Sequence, residues 1–156
     1  FALKGYEDEL HKVTWLVLFI PLVISSGGNS GTQSTTLVIR ALTNQDVTPR
    51  DWLRVLQREV VTGVCLGAFL AAIGYPIVRL LTDEPTAYEA MVVPITLLCV
   101  VLTGTIVGSL LPLLFRRLGL DEALMSSPFL TGVIDIAGIV IYMTVALAML
   151  RELGVG

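Results

Sequence analysis

Charged residues are scarce in this sequence, because Asp, Glu, Lys and Arg make up only 15% of its 156 residues while 54% are hydrophobic. Soluble domains carry about 25% charged residues. The shortage of charge, together with long apolar runs, therefore excludes an ordinary soluble domain and indicates a membrane protein. The net charge of −3 and the lack of basic clusters beyond short arginine groups argue against a nucleic-acid partner.

The sequence is equally poor in cysteine and histidine, which are the usual ligands of soft metal ions. It contains two cysteines, Cys65 and Cys99, both inside apolar runs, and one histidine, His11, outside them. These residues exclude a disulfide framework and favour packing thiols over a zinc- or copper-type site. No nucleophile and base pair is recognisable, so we predict that the protein is not an enzyme.

Four apolar segments are long enough to cross a membrane, which takes ~20 residues for ~30 Å of hydrocarbon. They cover residues 13–42, 59–81, 88–115 and 127–150. None of them shows the broad polar face of a helix that borders water. The predicted fold is an all-α membrane protein, with four transmembrane spans in one helical bundle over residues 1–156.

The arginines predict how the spans are oriented. The connections after the first and third spans carry basic residues, whereas "TDEPTAYEA" between the second and third has none. The positive-inside rule therefore places the two basic connections in the cytoplasm. Both chain ends would then be external, so we expect one more span before Phe1 and regard the domain as N-terminally incomplete. The arginines of the two connections are Arg40, Arg50, Arg54, Arg58, Arg116 and Arg117.

The first span contains a polar block, "SSGGNSGTQST", at residues 25–35. Irregular backbone at membrane depth is tolerated only where protein buries it or where it borders water. Because glycine permits unusual backbone geometry, we expect this segment to interrupt the helix near Gly28 and Gly31. Its carbonyls and the side chains of Asn29 and Thr32 would then face a cavity. The alternative is a close helix-packing site built from small residues.

The fourth span contains one acid, Asp135, which costs about 2.5–3.5 kcal/mol to insert near the centre of the membrane. Helical spacing places Ser127, Thr131, Gly138 and Tyr142 on the same face as Asp135. From helix rise, Gly28 and Asp135 have similar depths in the inner half of the bilayer. We therefore expect the polar block and the carboxylate to form one site. The alternative is a structural acid that a neighbouring helix satisfies by hydrogen bonding.

Oxygen atoms are the ligands that this site would offer, and they suit Mg²⁺, with Mn²⁺ and Ca²⁺ as alternatives. One carboxylate per chain is too few to replace the whole water shell of a divalent ion. Asp135 is therefore expected to contact hydrated Mg²⁺. A symmetric dimer would bring two carboxylates to one ion.

Two long stretches carry a family resemblance. "FIPLVISSGGNSGTQSTTLVIRAL" and "LLPLLFRRLGLDEALMSSPFLTGVIDIAGIVIYM" resemble the membrane domain of MgtE-type magnesium channels and transporters. The resemblance implies a homodimer with five spans per subunit, in a bacterial or archaeal cell membrane, and a central pore that conducts hydrated Mg²⁺. It implies that the first and last spans of this chain line the pore. The expected site residues are Asp135, Gly28, Gly31, Asn29, Thr32 and Thr131.

Two alternatives to a channel stay open. A coupled exchanger of Mg²⁺ or another divalent ion would use the same site. A membrane assembly subunit that transports nothing would use the polar block to hold a partner helix.

Overall fold

The computed structural model describes residues 14–82, 86–120 and 127–152. Within these ranges the chain forms α-helices and short 3₁₀ segments and no strand, which confirms the predicted all-α class. The predictions for residues 1–13, including His11, fall outside the described residues. The helices are α1 (Ile20–Thr43), α2 (Trp52–Leu81), α3 (Val92–Leu118) and α4 (Ser127–Glu152). The 3₁₀ segments are Thr14–Phe19, Pro49–Asp51 and Glu89–Met91.

The second helix begins before the apolar segment that predicted it. At its start the Asp51 carboxylate accepts hydrogen bonds from the backbone N–H of Thr48 at 3.0 Å and from the Thr48 hydroxyl at 2.7 Å. This capping arrangement satisfies backbone donors that the first helical turn leaves open. Arg54 and Arg58 therefore lie on α2 rather than in the connection before it.

In the part of the chain that the structure describes, three stretches of helix are long and apolar enough to cross a membrane, namely Pro49–Leu81, Glu89–Leu118 and Phe129–Met149. The first helix has 24 residues and a length of about 36 Å, but its polar block makes it less apolar. Large hydrophobic side chains cover the outside of the bundle, including Phe69 with 62% exposure. Such a surface suits lipid rather than water.

The third helix is the centre of the bundle and contacts α1, α2 and α4. In its most apolar stretch 56% of the residues are buried, against 17% for the corresponding stretch of α2. The first helix packs against α3 on one side and α4 on another. The second helix touches mainly α3, so it leaves the contact between α1 and α4 on a separate side of the bundle.

Glycines set how closely α1 approaches α3. A Cβ at Gly104 would lie 2.5 Å from the carbonyl oxygen of Gly27, and one at Gly108 would overlap the carbonyl oxygen of Gly31. The hydroxyl of Thr35 donates to the Gly108 carbonyl across the crossing at 2.7 Å. Gly104 and Gly108 are therefore small residues that let the backbones of α1 and α3 approach closely.

The predicted interruption of the first span is wrong, because residues 25–35 lie within the continuous helix α1. None of the glycines in this block has a positive φ. The serine hydroxyls next to these glycines donate to carbonyls one turn earlier in the same helix. The Ser26 hydroxyl donates to the Leu22 carbonyl and the Ser30 hydroxyl to the Ser26 carbonyl, each at 2.7 Å. Such local bonds satisfy the hydroxyls without water. The glycines therefore provide close helix packing, as the alternative interpretation proposed.

The buried hydroxyl of Tyr142, which is 2% exposed, donates to the Leu16 carbonyl at 2.7 Å. Tyr142→Phe would leave this carbonyl without its partner, so we expect the free energy of unfolding to fall by about 1–3 kcal/mol. Thermal unfolding in detergent measures the change. The control is Tyr75→Phe, since the Tyr75 hydroxyl makes no hydrogen bond to the described part of the chain. Equal melting temperatures for the two variants would contradict this role of Tyr142.

Candidate functional site

The carboxylate of Asp135 lies directly against the backbone of α1 at Gly28. A Cβ added at Gly28 would lie 3.1 Å from Asp135 Oδ1 and 3.2 Å from Thr131 Cγ2. Glycine therefore leaves the space into which α4 places its acid. The structure thus brings together Gly28, Thr131 and Asp135, three of the residues that the sequence selected.

A second contact between α1 and α4 lies next to the carboxylate. The hydroxyl oxygens of Thr32 and Thr131 are 3.4 Å apart and partly buried. This distance exceeds the usual 2.5–3.0 Å of a strong O–H···O bond. The two hydroxyls therefore form a weak contact between α1 and α4.

Asp135 is half-buried and accepts no hydrogen bond from any residue in the described ranges. The alternative of a structural acid satisfied by a neighbouring helix therefore finds no support there. No group of three or more His, Cys, Asp or Glu side chains that could hold a metal ion occurs among the described residues either. One carboxylate with open oxygen lone pairs is suited to a cation that keeps its water shell.

The other two predicted residues on α1, Gly31 and Asn29, lie in different surroundings. Gly31 is buried at the crossing with α3, beside Gly108 and Ile134. Asn29 is exposed, and its amide donates to the Ser25 hydroxyl at 3.1 Å. Asn29 therefore belongs to the outer surface of α1, whereas Gly31 is a packing residue in this structure.

A polar stripe runs along the outer surface of α1. It consists of Ser25, Asn29, Thr32 and Thr36, and three of these side chains are exposed while Thr32 is half-buried. Their spacing of four, three and four residues keeps them on one helical face. Through Thr32 the stripe continues to Thr131 and Asp135. Polar side chains at membrane depth normally face water or another protein surface, so this side of the bundle is unsuited to lipid.

Sequence reasoning missed a buried acid on α2. Glu59 on α2 is 5% exposed, and its Oε2 accepts a hydrogen bond from the Ser34 hydroxyl of α1 at 2.6 Å. It lines a cavity of about 410 Å³ whose walls also include Ser30, Asn29 and Thr105. Glu59 therefore connects α2 to α1 through Ser34.

The sequence did contain a signal for Glu59. It precedes Gly63 and Gly67 by four and eight residues, and this spacing places it on the packing face of α2. All three residues are buried. In the sequence Glu59 is only the first residue of the predicted span 59–81.

Replacing Glu59 tests whether it stabilises the bundle. Glu59→Ala would leave Ser34 without its acceptor and create a void, so we expect the free energy of unfolding to fall by about 1–3 kcal/mol. Glu59→Gln keeps an acceptor oxygen and should lose less. Thermal unfolding of both variants in detergent makes the comparison. A Glu59→Ala variant as stable as wild type would show that the hydrogen bond to Ser34 contributes nothing.

The fold and the site together define a class of protein. The chain is a multi-pass α-helical membrane protein with a polar surface, containing one acid, where two of its helices meet. Such an arrangement is typical of proteins that move ions through membranes.

The comparisons with known proteins identify the family within this class. The model of the MgtE family, described as divalent cation transporters, matches residues 20–145. The chain belongs to this family. Three proteins named "Magnesium transporter MgtE" are similar to it: that of Thermus thermophilus is 38% identical over 149 residues, that of Bacillus subtilis 32% over 148 and that of Enterococcus faecalis 30% over 150.

These alignments cover different shares of this chain and of its relatives. They include 95–96% of this chain but only 32% of each relative. The chain thus spans about a third of the length of the relatives that it matches. The similarity concerns the helices described above, including α1 and the part of α4 that carries Asp135.

Proposed function

We propose that the protein transports Mg²⁺ across the membrane along a path lined by α1 and α4. The observation that carries this proposal is the position of the Asp135 carboxylate against Gly28, at the edge of the polar stripe on α1. A carboxylate, hydroxyls and an amide supply the oxygen ligands that Mg²⁺ prefers. On this proposal the helices α1–α4 are the ion-conducting part of the protein.

The transported ion keeps most of its water. A single carboxylate provides one negative charge for an ion with two positive charges, and Mg²⁺ loses water reluctantly. Asp135 therefore accepts hydrogen bonds from water molecules bound to the ion. The Thr32 hydroxyl lies beside Thr131 on the same side of the bundle and contributes a further oxygen to this water shell.

Two copies of the chain form the path. The polar stripe is exposed on one copy, where it would otherwise face lipid. A two-fold axis beside α1 would place two stripes opposite each other and enclose them in protein. Two Asp135 carboxylates would then balance the charge of one Mg²⁺ ion. This arrangement gives the exposed polar face a partner and the ion a neutral site.

Ion flux into liposomes that contain the full protein tests this function and separates the two kinds of transport. A channel should carry Mg²⁺ down its own gradient with no opposing Na⁺ or proton gradient. A strict requirement for such a gradient would replace the channel by a coupled exchanger. Competition by Mn²⁺ and Ca²⁺ in the same assay measures selectivity among ions that share oxygen chemistry.

An assembly subunit without transport activity makes the opposite prediction. Liposomes with wild type and liposomes with Asp135→Ala should then be equally impermeable to Mg²⁺. The variant should instead lose its partner protein. In a transporter the same variant keeps its assembly and loses flux. Measuring flux and oligomeric state on the same sample distinguishes these outcomes.

A further inference from the structure

A basic pocket lies where α2 begins and α3 ends. It has a volume of about 700 Å³ and is lined by Thr48, Pro49, Arg50, Trp52 and Arg117. Its two guanidinium groups come from segments that are far apart in the sequence. Trp52 is exposed, as is common for tryptophan at the level of lipid headgroups.

An apolar groove of about 460 Å³ continues from this basic pocket and shares Pro49, Trp52 and Arg117 with it. The rest of its wall consists of aliphatic side chains of α3 between Ile106 and Leu114. This part of α3 is about 12 Å long, a little less than half of the ~30 Å hydrocarbon core. The groove therefore extends about as deep as one leaflet of the bilayer.

We propose that the basic pocket and the apolar groove together bind one anionic phospholipid. Arg50 and Arg117 hold the phosphate, because guanidinium groups pair with phosphate oxygens through two hydrogen bonds. An acyl chain fills the groove along α3. Basic pockets between membrane helices on the cytoplasmic side are suited to anionic headgroups, and the arginine distribution predicts that this end of the bundle is cytoplasmic.

The chemistry favours this occupant over others. A soluble anion would use the arginines and leave the apolar groove empty. A zwitterionic lipid would fill the groove, but its cationic headgroup would add positive charge beside two guanidinium groups. An anionic phospholipid matches both parts of the site at once, and the site lies apart from Asp135 and the polar stripe.

Lipid titration of the purified full protein in detergent tests the proposal. Native mass spectrometry and thermal unfolding would be recorded with phosphatidylglycerol, with phosphatidylcholine of the same chain length and with inorganic phosphate alone. The variants are Arg50→Gln, Arg117→Gln and the double variant. The matched control is Arg54→Gln, an exposed arginine on α2 that lines neither cavity.

We expect phosphatidylglycerol to bind more tightly than phosphatidylcholine and to raise the melting temperature. Loss of each pocket arginine should weaken phosphatidylglycerol binding about fivefold, and loss of both about 25-fold, while Arg54→Gln binds like wild type. Val107→Trp, which fills the groove and keeps both arginines, should weaken binding of the lipid and not of phosphate.

Four results would overturn the proposal. Equal binding of phosphatidylglycerol and phosphatidylcholine would show that the site does not select an anionic headgroup. If Arg54→Gln weakened phosphatidylglycerol binding as much as the pocket variants do, the attraction would be nonspecific. Equal protection by inorganic phosphate would show an anion site without a lipid. Wild type that binds no lipid and shows no change in melting temperature would mean that another part of the protein or a second copy fills the groove.

Discussion

Asp135→Asn is expected to reduce Mg²⁺ flux through the full protein in liposomes by roughly 10- to 150-fold. The substitution keeps the size of the side chain and removes its charge. Hydrogen bonds to a charged group contribute about 1.5–3 kcal/mol each, and this range gives the expected loss for one lost interaction with the hydrated ion. Asp135 accepts no hydrogen bond from the described residues, so its replacement should leave the fold intact.

Two further variants show whether charge or general damage causes the loss. Asp46→Asn removes an exposed acid between α1 and α2 and should transport like wild type. Asp135→Glu keeps the charge and should retain part of the flux, limited by the narrow space beside Gly28. Wild-type flux in Asp135→Asn, with a normal melting temperature, would contradict the assigned role of the carboxylate.

Gly108→Ala should have the largest effect on folding. Its new Cβ would overlap the carbonyl oxygen of Gly31, and backbone atoms cannot move aside as the end of a flexible side chain can. Helices α1 and α3 would have to separate, and the bond from Thr35 to the Gly108 carbonyl would lengthen. Overpacking of this kind costs about 1–3 kcal/mol or more. We expect a lower melting temperature and a smaller yield of folded protein.

The control for Gly108→Ala is Gly132→Ala. Gly132 lies on α4, and a Cβ added there has no atom within 4 Å. Because alanine has the higher helix propensity, this variant should be as stable as wild type or slightly more so. Equal destabilisation of the two variants would show that the α1–α3 crossing is not the cause.

The sequence was sufficient to predict the fold class and where the polar residues concentrate. Apolar segments of sufficient length predict membrane helices because backbone groups in hydrocarbon must be satisfied within the helix. The same rule explains the wrong prediction of a break near Gly28. In α1 the serine and threonine hydroxyls donate to carbonyls of their own helix, so the polar block needs no irregular backbone.

Part of the site depends on contacts that the sequence does not specify. Helical spacing placed Thr131 and Asp135 on one face of α4, but only the packing shows that Gly28 is the residue beside the carboxylate. The role of Gly31 as a contact of α3 likewise follows from where the helices cross. Glu59 was missed because its partner, Ser34, lies 25 positions away in the sequence, and one-dimensional patterns do not report such pairs.

Cysteine accessibility along the polar stripe tests the central claim, that this face of α1 borders water within the membrane. Asn29→Cys would be introduced into the full protein after Cys65 and Cys99 are replaced by alanine. A charged thiol reagent that does not cross membranes is then applied to the protein in liposomes. Phe69→Cys, on the exposed apolar surface of α2, is the control. We predict that Asn29→Cys reacts, that Mg²⁺ slows its reaction and that Phe69→Cys does not react. Failure of Asn29→Cys to react, as at the control position, would contradict a water-filled path along α1.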